Sequence, residues 1–199
     1  MKVTKEQSAE NRQAILDAAA RLFLAHGYGG VGVAEITRAA GFTHGGFYRH
    51  FASKEALAAE VTELAFARSV DKLQSRLEEG QGDASEHFRQ YLSPSHLVQA
   101  GHSCPMVTLA ADGARENGPV PEALAQGIAH YLQTLARHRP NGDVVEAPDA
   151  ADKARAIHSL SALVGGMVLA RATHEGAPAL SEEILQTLQK ELQGVWKKA

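Results

Sequence analysis

Apolar residues first recur at helical spacing over residues 8–26, where Ile15, Ala18, Ala19, Leu22 and Phe23 share a face and Arg12, Asp17 and Arg21 take the other. Gly27 marks the stop. A shorter helix is predicted over 33–40, with Val33, Ile36 and Ala40 on one side and Gly41 just past its end. Thr43 opens a third, ending near Phe51, and Ser53 caps a fourth that carries Leu57, Val61, Leu64 and Ala65. Beyond Arg68 the pattern stays helical over 70–79, 84–92, 105–116, 121–138, 151–174 and 181–197, with breaks at 79–83, 116–121 and 139–149. No segment alternates with period two, so the predicted fold is all-α, with short helices first and long ones after.

Two late helices carry further signals. Ser181 is placed as the cap of the last, with Glu182 and Glu183 in its first turn and Leu180 set to staple onto Leu185. On the helix before it, Ser159, Ala162, Gly166 and Ala170 form a nearly side-chain-free face. Such a face admits a second helix closely, either within the chain or across a dimer axis.

Composition narrows the class. The 199 residues are 44% hydrophobic with a net charge of −3, enough apolar material for a core and too little charge for disorder. No apolar run reads as a bilayer span and the first residues are polar, so the expectation is a cytosolic protein without a membrane partner. Residues 1–62 hold seven Lys/Arg against six Asp/Glu while the remainder is net acidic, so a nucleic-acid footprint belongs at the N-terminus.

Gly27, Gly29 and Gly32 match the G-x-G-x-x-G spacing of a dinucleotide loop. That chemistry needs a strand before the loop and a helix after it, whereas an amphipathic helix precedes this one, so it is read as a connector. The order of the flanking parts says more. Two short helices joined by the tight turn at Gly41, Phe42 and Thr43 describe a helix-turn-helix at about residues 32–51, whose second helix enters the major groove.

The run GFTHGGFYRHFASKEAL, preceded by ILDAAARLFLAHGY, resembles the DNA-binding domain of TetR-type transcriptional regulators. The resemblance implies an N-terminal three-helix domain over 8–68 and a larger helical domain over 69–199 for effector binding and dimerisation. It implies a homodimeric repressor whose partners are double-stranded operator DNA and a small-molecule effector, and it implies no enzyme and no cofactor. Backbone contacts carry over to Tyr48, His50 and Lys54. Base reading falls to the start of the third helix at Thr43, His44, Gly45 and Gly46, assisted by Thr37 and Arg38, with Phe47 and Phe51 as core pegs. Gly32 stands where the family often has a capping threonine or serine, and Gly46 where a larger residue is common.

Cys104 precedes Pro105, a residue favoured at the first position of a helix, so the thiol is expected at a helix N-terminus near His102. It is a candidate thiol sensor, and its alternative is a small buried hydrophobe. The ten histidines show no metal-ligand spacing and no catalytic set stands out. Two other readings stay open: a nucleotide-binding enzyme using the 27–32 loop, and a helical interaction module without DNA binding.

Overall fold

Thr4 begins the first helix earlier than its apolar stripe suggests, because its hydroxyl accepts the Gln7 N–H at 3.1 Å. The computed structural model describes residues 4–80, 84–98 and 104–196. Helix α1 spans Lys5–His26, α2 Val33–Ala39, α3 His44–Phe47, α4 Lys54–Glu79, α5 Ser85–Tyr91, α6 Pro94–Val98, α7 Pro105–Gly113, α8 Pro119–Arg137, α9 Ala150–His174 and α10 Pro178–Trp196. No strand occurs among the described residues. The predicted break at 79–83 and His102 lie largely or wholly outside them.

Other boundaries also differ from the sequence reading. The segments predicted on either side of Arg68 are one helix, α4, since nothing between Phe66 and Ser69 breaks it. Helix α6 was not anticipated; Pro94 opens it, and Ser93 Oγ accepts the His96 N–H at 3.3 Å. Helix α10 starts at Pro178, where a missing N–H is harmless, so Ser181 is not its cap. Ser181 is buried instead and donates to the Ala170 carbonyl at 2.8 Å.

The chain forms two compact units, one from residues 1–65 with 101–127 and the other from 66–100 with 128–199. Ile15, Ala19, Phe23, Ile36, Phe47 and Leu57 make the core of the first. There Gly27 ends α1 at φ +73°, and a methyl on it would sit 2.0 Å from Asp112 Oδ2. The same oxygen accepts the Tyr28 N–H at 3.0 Å, while the buried Tyr28 hydroxyl lies 2.5 Å from Thr62 Oγ1. One carboxylate on α7 thus holds the loop that follows α1.

In the second unit α9 and α10 pack along each other, and the small-residue face sits between them. Trp196 Nε1 donates to Ser159 Oγ at 2.8 Å, and a methyl on Gly166 would fall 2.2 Å from Leu188 Cδ1. Ser159, Gly166 and Ala170 are therefore buried inside the chain, with Ala162 at the margin, and this face is not open to a partner. Contrary to the sequence reading, α9 is long and apolar enough by composition to cross a bilayer, yet its inner side is occupied by this packing. Its start is capped reciprocally by Asp149 and Asp152, and Asp152 is gripped by Arg139 and Arg155, each at 2.7 Å. Those hydrogen bonds hold the Asp152 carboxyl well below the usual range.

Candidate nucleic-acid interface

The turn between α2 and α3 is set by backbone geometry. Gly41 takes φ +80°, its N–H reaches the Arg38 carbonyl at 3.1 Å, and the Phe42 N–H reaches Thr37 at 2.8 Å. Both bonds close the end of α2, and a side chain at Gly41 would strain the left-handed turn that makes them. The chain then extends through Thr43 (φ −84°, ψ 155°) and enters α3. Thr43 occupies the cap position without a side-chain cap bond and is exposed. Gly32, ahead of α2, likewise supplies no side-chain cap.

Helix α3 is one turn long, shorter than predicted, and Tyr48 to His50 form a turn beyond it. Phe47 and Phe51 anchor this segment, buried with ring centroids 5.7 Å apart. Arg12 of α1 braces them from above. Its guanidinium lies 4.6 Å from the Phe51 ring and grips Glu60 of α4 through two bonds of 2.6 and 2.5 Å. Sequence reasoning missed this brace, since nothing in the spacing of Arg12, Phe51 and Glu60 announces it.

With its apolar side pinned, α3 turns its polar side out. Tyr48 is 57% exposed, its ring edge-on to His44 at 5.6 Å and to Phe47 at 5.1 Å. Arg38, Thr43, His44, Gly45 and Arg49 are exposed, and Gly46, His50 and Lys54 half-buried. Lys54 opens α4 beside the Ser53 cap, whose hydroxyl accepts the Ala56 N–H at 3.1 Å. Arg38, Arg49 and Lys54 form no ion pair among the described residues. These cations and hydroxyls offer donors to phosphate and base edges.

Thr37 does not join them. It is 2% exposed, and its hydroxyl donates to the Val33 and Ala34 carbonyls at 3.0 and 3.2 Å, within its own helix. The phase of α2 puts Ile36 and Thr37 inward and Arg38 outward, so of the two residues expected to assist base reading only Arg38 is exposed.

Two other sequence features fall elsewhere. The 27–32 glycine run joins α1 to α2, with no strand before it, so it lacks the frame of a dinucleotide loop. Cys104 sits at the cap position of α7 ahead of Pro105, only 7% exposed, and no cluster of three or more metal-binding side chains occurs among the described residues.

A pinned short helix after a glycine turn, presenting uncompensated polar groups, defines a helix-turn-helix DNA-binding domain. Residues 15–61 match the model described as "Bacterial regulatory proteins, tetR family". The HTH-type transcriptional regulator AcrR of Shigella flexneri is 45% identical over 62 residues, a stretch covering 31% of this chain and 29% of that protein. The HTH-type transcriptional repressor NemR of Escherichia coli K12 is 25% identical over 144 residues, 70% of this chain and 72% of that protein. The crystal structure of E. coli NemR in its reduced form shares the fold with a TM-score of 0.76 at 21% identity, covering 94% of this chain and 96% of the other. Residues 15–61 are thus a DNA-binding domain of the TetR family, and the chain as a whole shares the fold of TetR-family regulators.

Proposed function

We propose that the chain is a homodimeric, cytoplasmic repressor that binds an operator with two matched half-sites through α3 and its flanks. Residues 8–68 engage DNA, and 69–199 serve dimerisation and a small-molecule effector. The observation that carries the reading is the outward set of Arg38, Thr43, His44, Tyr48, Arg49, His50 and Lys54 around a helix anchored by Phe47 and Phe51. The exposed Tyr48 ring, the hydroxyls and the cations beside it are groups that phosphates and base edges take.

Dimerisation is supported by a second stripe on α9, opposite its packed face. Ile157 and Val168 are 53% and 42% exposed and, with Val164 between them, recur on one side; Leu180 and Val195 of α10 are also exposed. Effector input has a specific candidate in Cys104, because it opens the helix whose Asp112 holds Tyr28 behind α1.

Random-site selection followed by mobility shift tests the reading. Wild type should enrich a two-half-site sequence and bind it with strong salt dependence. Tyr48→Phe with Lys54→Ala should weaken binding across all sequences and reduce the salt slope by about 1. Absence of any salt-sensitive specific binding, or unchanged affinity in the double variant, would count against it.

A further inference from the structure

Two adjacent glycines in a four-residue helix lower its stability, and the fold supplies no return for them. A methyl built on Gly45 meets nothing within 4 Å, and one on Gly46 meets only Thr43 Oγ1 at 3.7 Å and Phe42 Cβ at 3.9 Å, ordinary contact. Neither is among the glycines at positive φ, which are Gly27, Gly41, Gly118 and Gly142. Gly27, Gly113 and Gly166 show what an internal reason looks like: their methyls would fall 2.0, 1.8 and 2.2 Å from Asp112, Leu124 and Leu188. Alanine fits at 45 and 46 without moving any neighbour.

We infer that Gly45 and Gly46 set operator specificity by absence, forming a side-chain-free window through which the α3 main chain packs directly against a base-pair edge of the major groove. The inference rests on the DNA-binding reading and names how that surface selects its sequence. Thr43, His44, Tyr48 and Arg49 flank the glycines along the chain, all exposed, with the His44 and Tyr48 rings edge-on to each other at 5.6 Å. These four carry polar groups, while the window itself presents backbone. A methyl at either position adds about 1.5 Å of thickness where the two surfaces meet. Contact at such range responds to the groove's own relief, above all the thymine methyl.

Gly45→Ala, Gly46→Ala and the double variant test this, using the full chain and the duplex that wild type selects from random sequence. Thermal unfolding should be unchanged or raised by up to about 4 °C, since helix propensity rises and nothing clashes. Affinity for the selected duplex should fall about tenfold or more, the size of one mismatched base pair, with the salt slope unaltered because no charge is lost. A repeated selection with the double variant should return a changed preference at the centre of each half-site. Equal affinity and preference in the alanine variants would overturn the inference. So would a lowered unfolding temperature, which would mean that the fold itself needs the glycines, or a changed salt slope, which would mean a lost phosphate contact. Failure of wild type to enrich any duplex would overturn the DNA-binding reading, and this one with it. Wild-type binding with unimpaired variants overturns this one alone.

Discussion

Replacing His87 by glutamine removes one proton from the folding equilibrium of the second unit. His87 lies on α5, 7% exposed, with Nε2 2.8 Å from the Tyr131 hydroxyl. Burial lowers its pKa to about 3, helped by the positive charges of Arg76 and Lys72 and by His96, from an ordinary value of 6.5. The folded pKa is below the unfolded one, so as pH falls the unfolded chain takes up the proton first. This contribution to stability is whole above about pH 6.5 and is lost progressively down to about pH 3. Between pH 7.5 and 5.0 the unfolded state gains about 2 kcal/mol, from about 1.5 pH units at roughly 1.4 kcal/mol each. Glutamine retains a hydrogen-bonding group toward Tyr131 and does not titrate. In urea unfolding at both pH values and fixed protein concentration, wild type should lose about 2 kcal/mol more than His87→Gln on acidification, or about 4–8 °C in a thermal scan. His96, whose pKa burial also lowers, is present in both proteins and cancels to first order. Equal acid losses in the two would refute a neutral, buried His87.

Gly27→Ala puts a methyl onto Asp112 at a positive φ, and should cost about 2 kcal/mol or more, read as a melting point lowered by several degrees. Trp196→Phe shrinks a fully buried indole to a phenyl ring and strips the donor from the fully buried Ser159 Oγ; a loss of about 2–4 kcal/mol, cavity and hydrogen bond together, is expected in denaturant unfolding. Treatment with N-ethylmaleimide should weaken operator binding by wild type and leave Cys104→Ser unaffected in the same mobility shift. Equal sensitivity of the two would remove Cys104 as the input.

The helices were legible because their period is strong and their stops are chemical. Gly27 and Gly41 end α1 and α2 where the sequence placed the stops, and Ser53 caps α4 as read. Phase was harder. Thr37 and Arg38 are neighbours of opposite fate, and a rotation of about 100° per residue decides which of them meets DNA. Helix α2 has only Val33, Ile36 and Ala40 to fix that rotation from sequence. The cap at Ser181 failed for a related reason: a cap residue followed by acids is a local signal, but Pro178 opens a helix as well, and Ser181 found a better acceptor in Ala170. Links across long separations left no sequence trace. Arg12 with Glu60 and Tyr28 with Asp112 join residues 48 and 84 positions apart through groups found on any helix surface.

Several local rules are broken together on the outer side of α3. Some unfavourable choices elsewhere have an internal return. The buried Asp152 is held by two arginines, the buried Ser159 by Trp196, and Gly27, Gly113 and Gly166 by neighbours that leave no room for a methyl. Around α3 the same accounting does not close within the chain: Tyr48 is exposed, two glycines weaken a helix in open space, and a threonine at a cap position caps nothing. Sequences depart from local consistency where function requires it. The deficit at α3 is matched in kind by a DNA groove, since an exposed tyrosine and cations suit phosphate, a threonine hydroxyl suits a base edge, and bare backbone suits close approach. It is the sum of these mismatches on one small surface, rather than any single residue, that ties the sequence of α3 to its partner.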